Sequence, residues 1–227
     1  AELGLRRVVP TMEDLYKIAR SLEDNRIDAL LVIGGWNAYQ SAHLMYEERE
    51  RYPAFQIPIV VVPTSIDNNL PGTELSVGAD SALNVNVSAI DKIKMSGSAT
   101  TRAFVVETMG RFCGFQALMS GLAGGAERVY LNEEGIELNS LAADVNWLQQ
   151  SFAAGRRFFL AVRNERASDS YTTEFISQLL DGASRGAYDV RTHIIGHVQQ
   201  GAEPTPADRL LATRVVSLLC WLVFAID

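Results

Sequence analysis

Asp67 stands between Ser65 and the pair Asn68-Asn69, with Pro63, Pro71 and Gly72 restraining the backbone around it. A carboxylate held on such a loop can take a proton from a substrate hydroxyl, provided it stays ionised at working pH. A nearby guanidinium favours the ionised form, and Arg111, in the run Met109-Gly110-Arg111, is the candidate. The same carboxylate could instead cap the helix beginning near Gly78 or close an Asx turn. Cations come next. Arg102, Arg111, Arg191 and His197 all fall at the ends of apolar runs or in the polar segments after them. Arginine offers a planar fork of donors that matches phosphate, and histidine adds a donor whose charge follows pH. Converging, these four would bind a phosphorylated small molecule; taken singly, each arginine reads as solvated surface and His197 as a hydrogen-bonded buried imidazole. Glu165 has the wrong sign for phosphate but suits sugar hydroxyls, so a phosphorylated polyol satisfies both signs. Gly34-Gly35 is a phosphate-loop signal of low specificity, and the chain has neither a Walker lysine motif nor G-x-G-x-x-G.

The elements that must carry these residues alternate between two periodicities. Thr11 can cap a helix, with Asp14 at the capping-box position and Leu15, Ile18 and Leu22 at helical spacing. Residues 29–33 and 57–62 are continuous apolar runs, expected of strands covered on both faces. Further strands are expected at 103–106, 128–131, 157–162 and 193–195. Helices are expected near 37–50, 78–95, 114–123, 139–153, 171–181 and 206–225. Gly124-Gly125 reads as a helix terminator, Trp36 as a packing residue, and the apolar stretch 215–226 as a buried helix or subunit contact. Alternation of this kind implies parallel sheets, and in open α/β sheets ligands sit beyond the carboxyl ends of the strands. The segments after the expected strands are the ones rich in Gly, Asp, Glu, Arg and His.

Composition narrows the partners. Of 227 residues, 48% are hydrophobic and 21% charged, enough apolar material for one large domain or two small ones. The net charge of −7 argues against a nucleic acid or an anionic membrane as the main partner. The two cysteines, Cys113 and Cys220, have no metal-ligand spacing and form no disulfide framework. No metal site is expected from the residues themselves. The chain opens without an apolar leader, and 215–226 is too short to span a bilayer, so the expectation is a soluble, cytoplasmic protein.

Together the loops resemble the 6-phosphofructokinase family. Ser65-Ile-Asp-Asn-Asn followed by Gly78-Ala-Asp-Ser-Ala-Leu-Asn is similar to its T-I-D-N-D and G-x-D-T-A-x-N signatures. Glu107-Thr-Met-Gly-Arg-Phe-Cys-Gly is similar to its E-x-M-G-R-x-C-G stretch, and Gly196-His-Val-Gln-Gln-Gly with Pro204 and Asp208-Arg209 to its G-H-x-Q-R-G block. The likeness runs in order from about residue 27 to 214. Arg163-Asn-Glu and Tyr171-Thr-Thr-Glu-Phe-Ile bring it closest to the C-terminal half of the fused, eukaryotic-type enzymes. The resemblance implies a phosphofructokinase fold, α/β with two Rossmann-like lobes and mainly parallel sheets. Residues 1–78 with 199–227 would form an incomplete nucleotide-side lobe, lacking the N-terminal strand and glycine loop, and 79–198 the sugar-phosphate-side lobe.

The implied glycolytic activity is transfer of a phosphoryl group from ATP, with magnesium, to O1 of fructose 6-phosphate. In that mapping Asp67 is the base, with Ser65 beside it, and Arg111 supports the transferring group. Met109 and Gly110 line the sugar pocket, Glu165 accepts sugar hydroxyls, and His197 holds the 6-phosphate. Arg102 and Arg191 reach across from a neighbouring subunit, which implies an oligomer. Three positions depart from the family pattern: Trp36 replaces the aspartate of G-G-D-G-S, Asn69 a second aspartate, and Gln200 the last phosphate-binding arginine. The expectation is therefore a chain that keeps the sugar-phosphate side and does not turn over ATP alone. It would bind fructose 6-phosphate or a fructose bisphosphate as the allosteric, effector-binding half beside a catalytic half. The alternative is an active kinase, using ATP or pyrophosphate, completed by an N-terminal segment or partner subunit.

Overall fold

A computed structural model describes residues 8–97 and 100–224, with residues 220–224 described by backbone alone. In chain order the elements are α1 (Met12–Asp24), β1 (Leu30–Gly34), α2 (Trp36–Glu47), β2 (Ile59–Pro63), α3 (Ala79–Gly97), β3 (Arg102–Thr108) and α4 (Phe115–Gly124). There follow β4 (Arg128–Tyr130), α5 (Leu138–Ala153), β5 (Phe158–Asn164), α6 (Thr173–Ser184), β6 (Asp189–Ile194) and α7 (Pro206–Phe224). A short 3-10 turn at Gly196–Gly201 follows β6. The strands form two parallel sheets, and the chain divides into two units, described in turn.

The first unit takes 1–65, 70–77 and 206–227. Thr11 caps α1 as its sequence predicts: its hydroxyl accepts from Asp14 N–H at 3.3 Å, and its own N–H donates to the Asp14 carboxylate at 3.0 Å. Leu15, Ala19 and Leu22 of α1 pack with Met45 and Phe55 into a small core. β1 and β2 pair in parallel, Leu30 opposite Ile59 through Gly34 opposite Pro63. The continuous apolar run of β1 predicted cover on both faces, but Leu31 and Ile33 are 44% and 57% exposed. A period-2 strand places alternate residues on one face, and within this chain that face of β1 is open. Trp36 likewise does not pack inside: it opens α2 and is 49% exposed.

The second unit takes 66–69 and 78–205 and holds the four-stranded sheet, ordered β4-β5-β3-β6. Its central strands are buried on both faces, as their unbroken apolar runs require. Ala103 and Val105 of β3 join Phe159 and Ala161 of β5 against Leu148 of α5 and Ile176 and Leu180 of α6. Phe104, Val106, Leu160 and Val162 face the other way, onto Ile90 of α3 and Ala117 of α4. The edge strand β6 starts four residues earlier than the apolar residues suggest, because only Val190 of Asp189–Ile194 is buried. α4 ends on Gly125, which takes φ +67°, the left-handed cap expected of a glycine.

Candidate functional site

The polar segments following β3, β5 and β6 meet at one end of the second unit's sheet, where the backbone of Met109 and Gly110 is held from three sides. Gln199, fully buried in the turn after β6, accepts from Met109 N–H at 3.0 Å and donates back to its carbonyl at 3.4 Å. Asn164, the last residue of β5, donates its amide to the carbonyls of Gly110 and Cys113. Glu165 accepts from Gly110 N–H at 3.3 Å, while its own N–H continues the ladder to Thr108 O at 3.0 Å. Only glycine fits at 110: its φ is +140°, and a Cβ would meet Cys113 O at 2.6 Å. The turn after β4 adds a fourth brace, the Glu133 carboxylate accepting from Gly114 N–H at 2.7 Å.

Behind these loops lies a buried charge. The Arg163 side chain is 2% exposed and pairs with Glu107 at 3.0 Å. Its other hydrogens reach the carbonyls of Glu165 at 3.2 Å, Tyr171 at 3.2 Å and Ser168 at 2.6 Å, so one guanidinium ties segment 165–171 to β3. Thr173, at the start of α6, donates its hydroxyl to the same Glu107 carboxylate. Burial lowers the Arg163 pKa, and Glu107 opposes that shift by favouring the charged form. A buried guanidinium with this many acceptors fixes geometry more surely than it adds stability.

Asp67 is half-buried, followed by Asn68 at φ +53°, a left-handed conformation that asparagine tolerates. Burial raises its carboxyl pKa, the nearby Glu165 charge raises it further, and Arg111 pulls it down. This corrects the expectation that Arg111 dominates. Arg111 is exposed and its charge is screened by water, whereas desolvation acts on the carboxylate directly. The consequence is a more basic carboxylate, which suits proton abstraction better than a fully stabilised anion would. Burial also raises the Cys113 thiol pKa, with Glu133 and Asp67 adding to the shift against a hydrogen bond from Phe115 N–H.

Asp67, Arg111, Met109, Gly110 and Glu165 are thus brought into one neighbourhood. His197 follows β6, exposed, with Nδ1 3.2 Å from Gln200 Oε1. The other two cations are not gathered there. Arg102 is the first residue of β3, at the amino end, six residues from Thr108. At the rise of an extended strand that is roughly 20 Å from the site. Arg191 lies within β6, opposite Phe104, and pairs with Asp189 at 3.4 Å. The four cations therefore do not converge within this chain, since their strands place two of them toward the wrong end. Ser65 belongs to the first unit, where its carbonyl accepts from Ser76 Oγ at 2.6 Å. Gly34 and Gly35 close the turn into α2 with backbone bonds, Gly34 O accepting from Thr64 N–H at 3.0 Å and Gly35 O from Ala38 N–H at 3.0 Å.

Sequence reasoning missed Gln116 and Gln199, both fully buried. The available signal for Gln116 was helical spacing: it shares the inner face of α4 with Ser120 and Gly124.

A doubly covered parallel sheet with glycine, carboxylate and guanidinium loops at its carboxyl end defines an α/β protein whose polar loops gather where such sheets bind ligands. The phosphofructokinase family model matches residues 1–223, and the chain belongs to that family. It is 41% identical over 216 residues to ATP-dependent 6-phosphofructokinase 1 of Caenorhabditis elegans, covering 95% of this chain and 26% of that protein. It is likewise 41% identical over 214 residues to the platelet-type ATP-dependent 6-phosphofructokinase of Homo sapiens, covering 94% of this chain and 27% of the other. The chain thus spans about a quarter of the length of these relatives, and the match falls in the C-terminal half of the eukaryotic enzymes. The T-state crystal structure of Pichia pastoris phosphofructokinase superposes with a TM-score of 0.89 at 41% identity, over 92% of this chain and 24% of that one. A pyrophosphate-dependent phosphofructokinase from Nitrosospira multiformis shares the fold at 17% identity, with a TM-score of 0.73, over 94% and 56% of the two chains.

Proposed function

We propose that this chain is the fructose-phosphate-binding half of a phosphofructokinase, taking fructose 6-phosphate or a fructose bisphosphate at the second unit's site and regulating a catalytic half in glycolysis. The observation that carries the reading is the Glu165 carboxylate fixed on Gly110 N–H, next to Asp67 and Arg111. Glu165 has acceptor capacity left for sugar hydroxyls, Met109 and Gly110 present rigid backbone to the ring, and His197 takes the 6-phosphate. Arg102 and Arg191, at the other end of their sheet, serve a neighbouring copy or half, which makes the working form an oligomer. The cytoplasm is the compartment that suits this chemistry. Among the described residues no helix is long and apolar enough to cross a membrane.

A magnesium ion does not fit the turn after β1. A hard cation needs oxygen ligands, and the turn where the family carries an aspartate offers Trp36, exposed, after a Gly35 cap that makes no side-chain bond. No step through a bound nucleotide is derived for this chain.

The second reading is a working kinase completed by another segment or subunit, and the raised pKa of Asp67 favours it. A carboxylate made more basic by burial, with a guanidinium nearby, is what abstraction of the O1 proton requires. Asp67 would accept that proton and Arg111 would stabilise the charge developing on the transferred group.

Isothermal titration of the purified chain separates the readings. Fructose 6-phosphate or a bisphosphate should bind with no heat from Mg-ATP. Tight Mg-ATP binding would overturn the effector-half reading, and no binding of any fructose phosphate would overturn both.

A further inference from the structure

Gln116 is fully buried in α4, and every polar atom of its side chain is engaged. Its amide nitrogen donates to the carbonyls of Ile66 at 2.6 Å and Ala79 at 3.0 Å, and its oxygen accepts from Asn86 Nδ2 at 3.1 Å. Ile66 immediately precedes Asp67, and Ala79 opens α3. One amide therefore closes both ends of segment 67–78 onto the helix that follows Met109-Gly110-Arg111. The rest of α4's inner face is Ala117, Ser120, Gly121 and Gly124, none long enough to replace it. Leaving two carbonyls without this donor exposes the loop to rearrangement, because buried acceptors seek water when their partner is removed.

We propose that Gln116 is the positioning residue of Asp67: it fixes the loop bearing the carboxylate to the helix bearing the Arg111 turn. The inference rests on the reading of Asp67 as a group that faces the sugar, and it adds a residue outside the sugar site to that reading. The charged and titratable groups acting on Asp67 include Glu165 and Arg111, and Asp67 in turn raises the Cys113 thiol pKa from the neighbouring turn. Gln116→Met keeps the side-chain volume and removes both donated bonds together with the one accepted from Asn86, so the carboxylate should gain access to water without a hole opening in the core.

The test is a carboxyl-carbon NMR titration of Asp67 in the full chain, wild type against Gln116→Met, with amide exchange read on the same samples. The Asp67 midpoint should fall toward the ordinary carboxylate range, and exchange at 67–69 should quicken by about tenfold or more while β3 and β5 keep their protection. A loss of packing alone would lower the melting temperature and leave the Asp67 midpoint where it was. An unmoved midpoint in folded Gln116→Met therefore overturns the proposal. If that variant does not fold, Gln116→Glu serves instead. Its protonated carboxyl can still donate to Ile66 O and accept from Asn86, so protection at 67–69, corrected for the intrinsic pH dependence of amide exchange and compared with wild type, should fall once it ionises. Exchange independent of that ionisation also overturns the proposal. Asp67→Asn with sugar affinity intact would refute the reading of Asp67 as a group that faces the sugar and leave the Gln116 result standing.

Discussion

The turns after β1 and β3 are both glycine-rich, yet they are held in opposite ways. After β1, Gly34 and Gly35 close with backbone bonds to Thr64, Ala38 and Tyr39, and Trp36 is exposed. After β3, the Met109–Gly114 turn is braced by Gln199, Asn164, Glu165 and Glu133, side chains drawn from three other segments. The strands differ in the same sense, β3 being buried on both faces while β1 is half-buried on one face and exposed on the other. Buried polar side chains are costly unless they are satisfied. Their concentration at the turn after β3 marks a backbone held firmly in one geometry.

The largest effect that could break this contrast comes from the brace itself. Arg163→Met leaves the Glu107 carboxylate, 19% exposed, without its cation. It should cost about 3–5 kcal/mol in urea unfolding, as removal of one partner from a buried ion pair does. A loss under about 1 kcal/mol would mean that the second unit's turns are no more firmly set than those of the first.

Next comes the sugar phosphate. His197→Ala should weaken fructose 6-phosphate binding by about 1–3 kcal/mol in a calorimeter, the usual worth of a hydrogen bond to a charged group. Undiminished affinity in a folded variant would remove His197 from the site.

The smallest effect concerns Asp67 and carries a sign. Its folded pKa is raised, so ionisation disfavours the folded state. The penalty is present above the folded pKa and disappears below the unfolded value of about 3.9. Asp67→Asn should therefore stabilise the chain at pH 8, by less than about 1 kcal/mol because the group is partly solvated. The gain should vanish by about pH 4 on thermal melts run across the range. A variant less stable than wild type at pH 8 would show that Arg111, and not burial, governs the carboxylate.

Much of the second unit was legible in the sequence because β3 and β5 carry apolar runs ending in polar segments, the pattern expected of a doubly covered parallel sheet. β6 was less legible. An edge strand reading Asp-Val-Arg-Thr-His-Ile buries one residue, so the polar half of it looks like loop. Arg102 and Arg191 were grouped with the loop cations by residue type, although Arg102 directly precedes the apolar run of β3 and so stands at its amino end. Gln116 and Gln199 escaped notice because a buried amide and a surface amide are written with the same letter, and only partners distant in sequence, 50 residues away for Gln116 and 90 for Gln199, distinguish them. β1 and Trp36 erred the other way: apolar character was read as burial, and in this chain it is exposed.

The central claim is that the turn after β3 keeps a ligand site and the turn after β1 does not. Amide chemical-shift mapping tests it most directly, with fructose 6-phosphate and Mg-ATP added separately to the labelled chain. The account predicts shifts at Met109, Gly110, Glu165 and His197 with the sugar phosphate, and none at Gly34, Gly35 and Trp36 with the nucleotide. Saturable shifts at Gly34 to Trp36 on adding Mg-ATP, or a silent Gly110 on adding fructose 6-phosphate, would contradict it.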